Sequence, residues 1–118
     1  MVVKRIVSNI ACLSTEEVQK FYCDLFDLKV AMDFGWIATL TSEENAPAQI
    51  SIAQHGGSGT DVPDLSIEVD DVDAAYLRAQ QMGLEVNYDL TDEPWGVRRF
   101  YVTDPTGKLL NILAHSDK

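Results

Sequence analysis

The chain has 118 residues, 46% of them apolar and 24% charged, which is enough for one globular domain with a hydrophobic core and too short for two full-sized domains. Nine basic against nineteen acidic side chains give a formal charge of −10, which opposes binding to nucleic acid and to anionic membrane surfaces. No apolar run approaches the roughly 20 residues that cross a bilayer, and the first residues do not look like a secretory signal. We therefore expect a cytoplasmic protein.

The first half of the sequence predicts a strand, a helix and three further strands. Residues 3–13 are rich in β-branched side chains, and the Ser14-Thr15-Glu16-Glu17 capping box predicts a helix that ends near Asp27. The apolar residues of this helix recur with helical spacing and are expected to form one stripe against a sheet: Val18, Phe21, Tyr22, Leu25 and Phe26. The three strands are predicted at residues 29–33, 36–41 and 49–53, and a loop at 42–48.

The same order of elements follows a glycine-containing linker predicted at residues 55–62. Asp71 or Asp73 caps a second helix, which runs to Met82 before Gly83 and is expected to turn inward Val72, Ala75, Tyr76 and Ala79. Strands are predicted at 64–69, 84–88, 97–103 and 108–114, and a loop at 89–94. The two halves agree at an offset of about 55 residues, so the sequence predicts an α+β domain of two βαβββ modules, about 3–54 and about 63–115.

Alternation along the last two strands divides their side chains between two faces of a sheet. The row expected to contact the helix consists of Phe100, Val102, Leu110 and Ile112. The opposite face then receives Arg99, Tyr101, Asn111 and Leu113. Because this second face has no helix to cover it, we expect the functional site there.

Three motifs resemble the vicinal-oxygen-chelate superfamily, which includes glyoxalase I, bleomycin-resistance proteins, fosfomycin-resistance transferases and extradiol dioxygenases. The most specific is residues 95–111, with an aromatic strand and an Asp104-Pro105-Thr106-Gly107 hairpin. Residues 21–28 resemble the signature of the family's first helix, and residues 69–75 resemble the entry to its second. The resemblance implies a single domain over 1–118 in which the two modules form a cupped mixed sheet around a cavity.

The resemblance also implies four positions for metal ligands, which fall on Asn9, Ser51, Asp64 and Asn111. A transition metal in this family needs imidazole and carboxylate donors, whereas three of these side chains offer only neutral oxygens. We therefore expect no cofactor. A divalent metal is possible in this fold, but the residues at these positions do not support one.

The two histidines and two cysteines form no cluster with metal-ligand spacing in the sequence. His55 and His115 each follow the last predicted strand of a module, where surface or interface positions are expected. Cys12 and Cys23 form no Cys-x-x-Cys motif, so we predict two reduced thiols in core positions.

Two functions remain open. The first, resembling bleomycin-resistance proteins, is binding and sequestration of a small cationic or aromatic drug or metabolite by these residues: Asn9, Trp36, Ser51, Asp64, Trp95, Arg99, Tyr101 and Asn111. The second, resembling glyoxalase-type lyases and isomerases, is proton transfer next to a carbonyl group, with Asp64 as the buried base and with Arg99 and Tyr101 holding the oxyanion. A structural alternative is an ion pair between Arg99 and Asp64, with the tryptophans in the core. Free sheet edges and the resemblance favour a homodimer.

Overall fold

A computed structural model describes residues 1–42 and 48–116, so most of the predicted loop at 42–48 lies outside the described residues. The chain divides into two compact units. The N-terminal unit is Val7–Val62, and the C-terminal unit is Met1–Ile6 together with Pro63–Lys118. No helix in the described part of the chain is long and apolar enough to cross a membrane. The two tandem modules and the α+β class predicted from the sequence are confirmed.

The N-terminal unit has a mixed sheet with one helix packed on it. Its elements are β1 (Val3–Ala11, whose first residues belong to the other unit), α1 (Thr15–Phe26), β2 (Lys29–Asp33), β3 (Ile37–Thr41) and β4 (Gln49–Ala53). The strand order is β2-β3-β4-β1, with β1 parallel to β4 and the other pairs antiparallel. Its core consists of the buried residues Ala38, Leu40 and Ile52, with α1 packed against them.

Only part of the apolar stripe predicted for α1 faces this core. Val18, Tyr22 and Cys23 contact the core, whereas Phe21 is 58% exposed and Leu25 is 60% exposed. Successive residues are about 100° apart around a helix, so the flank of a broad apolar stripe can point to solvent. Phe26, in the last turn, is also exposed. Cys12 and Cys23 are free thiols packed against the core, as predicted.

The C-terminal unit repeats this arrangement. Its elements after β1 are β5 (Leu65–Val69), α2 (Val72–Gln81), β6 (Val86–Glu93), β7 (Val97–Thr103) and β8 (Leu109–His115). The strand order is β5-β8-β7-β6, with β5 parallel to β8 and the other pairs antiparallel, and the first residues of β1 lie beside β5. The core beneath α2 contains the predicted row, with Phe100 and Val102 buried and Leu110 and Ile112 packed against them.

Two capping predictions had different outcomes. The Asp71 carboxylate accepts a hydrogen bond from the Ala74 backbone N–H at 3.0 Å, as expected for the N-cap of α2. Ser14 is the N-cap residue of α1, but its side chain makes no capping hydrogen bond. The capping-box prediction was therefore right about where α1 begins and wrong about the contact.

The hairpin between β7 and β8 has the predicted turn chemistry. Asp104 Oδ1 accepts hydrogen bonds from the backbone N–H groups of Thr106 (2.8 Å) and Lys108 (2.9 Å) and from the Thr106 hydroxyl (2.7 Å). Gly107 has φ +90°, a left-handed conformation that glycine adopts without strain. The Thr106 hydroxyl and the Lys108 N–H hold the pKa of Asp104 below its usual value, because both stabilise the charged carboxylate.

Strand β6 differs from its prediction. It begins at Val86 and runs to Glu93, so residues 89–93 are strand and not loop. The register of β6 against β7 shifts between Val86 and Tyr88 and again between Tyr88 and Thr91. These irregularities break the alternating pattern that would identify a strand in the sequence.

The glycine-containing segment 55–62, predicted as a linker, contains a turn closed by its own backbone hydrogen bonds, from Gly56 N–H to Thr60 O and from Thr60 N–H to Gly57 O.

Candidate functional site

The sheet of the C-terminal unit has a face opposite α2, which we call the distal face. Alternation places on it the following side chains of β5, β6, β7 and β8: Ser66, Glu68, Tyr88, Arg99, Tyr101, Asn111 and Leu113. The neighbouring positions on β7 and β8 pack beneath α2, so the division predicted from the sequence is confirmed. Asn111 lies opposite Tyr101 on β7 and beside Ser66 on β5.

An ion pair between Arg99 and Glu93 lies on the distal face, close to the β6–β7 turn. Arg99 Nε is 2.7 Å from Glu93 Oε2, and the two side chains are only 4% and 2% exposed. The Tyr88 hydroxyl donates to the same Glu93 oxygen at 3.1 Å. Arg99 Nη1 donates to the Tyr101 hydroxyl oxygen at 3.0 Å. The pair is therefore held in one geometry by hydrogen bonds to side chains on both strands of the β6–β7 hairpin.

Three aromatic rings surround the Arg99 guanidinium group. Its central carbon is 5.3 Å from the ring centre of Tyr88 and 5.0 Å from those of Trp95 and Tyr101. These distances are within the range for favourable cation–π contacts. Trp95 lies in the β6–β7 turn, where Gly96 has φ +85° and its N–H donates to Glu93 O. Tyr88 and Trp95 are half-buried, so they form the more accessible part of this cluster.

Asn111 is the polar residue next to the aromatic cluster. Its Nδ2 donates to Ser66 Oγ at 3.1 Å. Within the described residues its Oδ1 is buried and has no hydrogen-bond partner. The distal face therefore combines a fixed charge pair, aromatic rings and an amide, which can hold a planar organic molecule by stacking and hydrogen bonding.

Asp64 does not lie where the sequence-based hypothesis placed it. It is exposed, precedes β5, and its Oδ2 accepts a hydrogen bond from the Leu109 N–H at 2.8 Å. Its backbone N–H also donates to Leu109 O. The carboxylate thus joins the ends of β5 and β8, and the expectation of a buried base at Asp64 is wrong. The alternative ion pair of Arg99 with Asp64 is also wrong, because the buried partner of Arg99 is Glu93.

A second charged group lies at the β1–β5 side of the C-terminal unit. Glu68 Oε1 is 3.1 Å from Arg5 Nε, and Glu68 Oε2 is 3.6 Å from His115 Nε2. The His115 side chain is 54% exposed, which confirms its predicted surface position. His55 is exposed as well.

The remaining predicted site residues lie in the N-terminal unit. Asn9 and Ser51 are neighbours on β1 and β4, and Ser51 Oγ is 2.8 Å from Thr39 Oγ1. Trp36 stacks on His55 with ring centres 5.0 Å apart and ring planes 11° apart. The structure therefore gathers Trp95, Arg99, Tyr101 and Asn111 in one unit, and Asn9, Trp36 and Ser51 in the other.

The side chains at the four metal positions implied by the resemblance do not fit a transition metal. Ser51 is paired with Thr39, Asn111 donates its amide to Ser66, and Asp64 bonds the Leu109 backbone. Across residues 1–42 and 48–116, no three histidine, cysteine, aspartate or glutamate side chains form a group that could hold a metal ion. Asn9, Ser51 and Asn111 offer only neutral donors, and the Asp64 carboxylate is already bonded to the Leu109 backbone, so we derive no chemical step through a metal.

Sequence reasoning missed Glu93, Tyr88 and Ser66. Glu93 looked like part of an exposed acidic loop because Asp92 precedes it and Pro94 follows it. The available signal was the Trp95-Gly96 turn. A hairpin at this turn would pair Glu93 with Val97, and Arg99 lies two residues after Val97 on the same face of β7, so Glu93 would be near Arg99. Ser66 could have been found by the alternation that assigned Asn111, because β5 and β8 are adjacent.

Comparison with known proteins identifies the relatives of this fold. A family model described as Glyoxalase/Bleomycin resistance protein/Dioxygenase superfamily matches residues 7–112. The search of curated proteins gave no match.

Among solved structures, a Legionella pneumophila protein named NAD-dependent benzaldehyde dehydrogenase is 15% identical with a TM-score of 0.77, covering 95% of this chain and 100% of that one. A superfamily member from Vibrio splendidus 12B01 is 15% identical with a TM-score of 0.71, covering 97% and 99%. A single-residue variant of the Streptomyces coelicolor methylmalonyl-CoA epimerase, in complex with 2-nitronate-propionyl-CoA, is 16% identical with a TM-score of 0.71, covering 98% and 97%. At these identities the likeness is one of fold.

Proposed function

Because the chain belongs to the glyoxalase/bleomycin resistance protein/dioxygenase superfamily, we propose that it binds a small organic molecule against the distal face of the C-terminal unit. The observation that carries this proposal is the buried Arg99–Glu93 pair with three aromatic rings about the guanidinium group. Small-molecule sites are usually lined by apolar and aromatic side chains with a few converging polar groups. The distal face has this composition.

The buried pair and the accessible rings have different roles in this proposal. Arg99 and Glu93 neutralise each other and are buried, so they hold the rings in place and do not themselves select a charged ligand. Half-buried Tyr88 and Trp95 supply the contact surface for the ligand. Asn111 and Ser66 supply polar groups beside that surface.

An aromatic or cationic compound suits this face best. Aromatic rings stack on other rings and attract cations, and both interactions favour a flat or positively charged ligand. The formal charge of −10 also raises the local concentration of cations and lowers that of anions. Sequestration of a drug or metabolite, as in bleomycin-resistance proteins, is the activity that we propose, without a metal or other cofactor.

Proton transfer next to a carbonyl group, the alternative left open by the sequence, has weaker support. That reaction needs a carboxylate or another base within reach of the substrate. Asp64 is exposed and bonded to the Leu109 backbone, and Glu93 already accepts from Arg99 and Tyr88. An epimerase is among the structures with this fold, but the likeness extends to the fold alone.

Ligand-observed NMR with three aromatic fragments, benzyl alcohol, benzamide and benzamidine, tests the proposal. We expect at least one fragment to bind, and Trp95→Ala to weaken it about threefold to tenfold through the loss of a stacking contact. Leu77→Ala is the matched control, because Leu77 is 55% exposed on α2, which packs on the opposite face of the sheet. Binding that is equally strong in wild type and Trp95→Ala would contradict the proposed location.

We also propose a homodimer, as the sequence led us to expect. Among the strands that the structure describes, β2 and β6 each have a neighbour on one side only within their units. Unpaired strand edges offer backbone groups to a second chain. Sedimentation velocity across a concentration series should give twice the chain mass, and a monomer at all concentrations would contradict this proposal. The cytoplasmic location stays a prediction from the sequence.

A further inference from the structure

Asn111 has a side-chain oxygen whose hydrogen-bonding capacity is unused among the residues that the structure describes. The residue is 8% exposed, its Nδ2 donates to Ser66 Oγ, and its Oδ1 is buried without a partner. Buried polar atoms in native proteins are nearly always hydrogen-bonded, because burying one without a partner costs its full desolvation energy. An unpaired acceptor on a proposed binding face therefore indicates that the ligand carries a hydrogen-bond donor at that point.

In the structure, the Asn111 amide points its nitrogen toward Ser66. The Nδ2 hydrogen bond to Ser66 on β5 commits one end of the amide, which leaves Oδ1 as the end available to another molecule. On the opposite strand, Tyr101 uses its hydroxyl oxygen to accept from Arg99. Ser66, which lies opposite Asn111 on β5, and Leu109, two positions earlier on β8, are half-buried.

We propose that Asn111 Oδ1 accepts a hydrogen bond from an N–H or O–H group of the ligand, which makes Asn111 a specificity-determining residue. This inference rests on the proposed binding function and narrows its ligand class to aromatic compounds bearing a neutral or cationic hydrogen-bond donor. An ether, an ester or a carboxylate has no hydrogen to donate and leaves the oxygen unpaired. The specificity therefore comes from rejecting analogues that lack the donor.

Two pairs of fragments, in each of which methylation removes the hydrogen-bond donor, test this inference. They are benzyl alcohol against benzyl methyl ether, and benzamide against N,N-dimethylbenzamide. Wild-type protein should bind the donor-bearing member of each pair about tenfold more tightly in an NMR titration. The variant Asn111→Leu should bring the ratio of the two Kd values close to one.

Thermal unfolding separates this role from a structural one. Because Asn111→Leu removes a buried oxygen without a partner but also the hydrogen bond to Ser66 Oγ, we expect the two effects to offset and its Tm to stay close to that of wild type. Asn87→Leu is the matched control, since the Asn87 oxygen is already paired with the Thr103 hydroxyl at 2.8 Å. Asn87→Leu should keep the wild-type ratio of the Kd values for the two members of each fragment pair. Asn111→Asp, which keeps an acceptor oxygen, should also keep the donor preference and serves if Asn111→Leu does not fold.

The outcomes distinguish this inference from the function on which it rests. Binding of all four fragments with no donor preference, or a preference that persists in Asn111→Leu, would overturn the role of Asn111 and leave small-molecule binding intact. Loss of the preference in Asn111→Asp would overturn it as well. Failure of every fragment to bind wild-type protein would overturn both proposals.

Discussion

Arg99 and Glu93 are joined at 2.7 Å across the β6–β7 hairpin, with both side chains almost fully buried. The two opposite charges are in direct contact, and the hydroxyls of Tyr88 and Tyr101 bond to the two ends of the pair. Removal of either partner would leave an uncompensated charge in a place with little water. The pair therefore links the stability of the hairpin to the geometry of the aromatic cluster.

Breaking this pair should destabilise the protein strongly. We expect Glu93→Leu and Arg99→Met each to lower the free energy of unfolding by about 3–5 kcal/mol, because each leaves one buried charge without its partner. The double variant should cost less than the sum of the two, since it removes both charges. Urea unfolding measures all three. Single variants that each cost less than about 1 kcal/mol would show that the pair is not buried in solution.

The protein should retain no metal under conditions in which a metalloenzyme would take up its metal ion. We expect protein incubated with excess Zn²⁺, Ni²⁺, Mn²⁺ or Fe²⁺ and then desalted to retain no stoichiometric metal, because the donors at Asn9, Ser51 and Asn111 are neutral. Elemental analysis gives the ratio of metal to chain. One retained equivalent would contradict this account and favour the enzyme alternative.

The two helix N-caps should respond differently to alanine. Asp71→Ala should lower the free energy of unfolding by about 1 kcal/mol, because it removes a hydrogen bond to the Ala74 N–H. Ser14→Ala should have little effect, since the Ser14 side chain makes no capping hydrogen bond. Denaturant titration of both variants makes the comparison, and equal losses would contradict the difference between the caps.

Acid should weaken the β7–β8 turn through Asp104. Its pKa is lowered in the folded state, so its contribution to stability is complete above the unfolded value of about 3.9 and is lost as pH falls through the folded value. Asp104→Asn should therefore lower Tm at neutral pH and reduce the dependence of Tm on pH below about 4. Calorimetry over a pH series tests this, and a slope equal to that of wild type would contradict it.

Local chemistry in the sequence was sufficient to predict most of the C-terminal unit. Asp71 and Gly83 mark the ends of α2, and the alternation through Phe100 and Tyr101 identifies the two faces of β7. These features depend on residues close together in the chain. They therefore do not require knowledge of which strands pair.

The parts that could not be predicted depend on pairing between distant residues. The two register shifts in β6 hide its strand pattern, so Glu93 was placed in a loop. The exposure of Phe21 follows from how α1 is rotated on its sheet, which periodicity alone does not determine. Asp64 was assigned a buried role from motif spacing, whereas its exposed position just before β5 gives it a backbone contact instead.

The most direct test of the binding site is a ¹⁵N–¹H NMR titration of wild-type protein with benzyl alcohol. The Trp95 indole N–H and the Asn111 side-chain amide are separate reporters on the C-terminal unit. We predict that both signals shift together with a single Kd, and that the Asn87 amide, on the same sheet, does not. Shifts that spare Trp95 and Asn111, or no shifts at saturating fragment, would contradict ligand binding at the distal face.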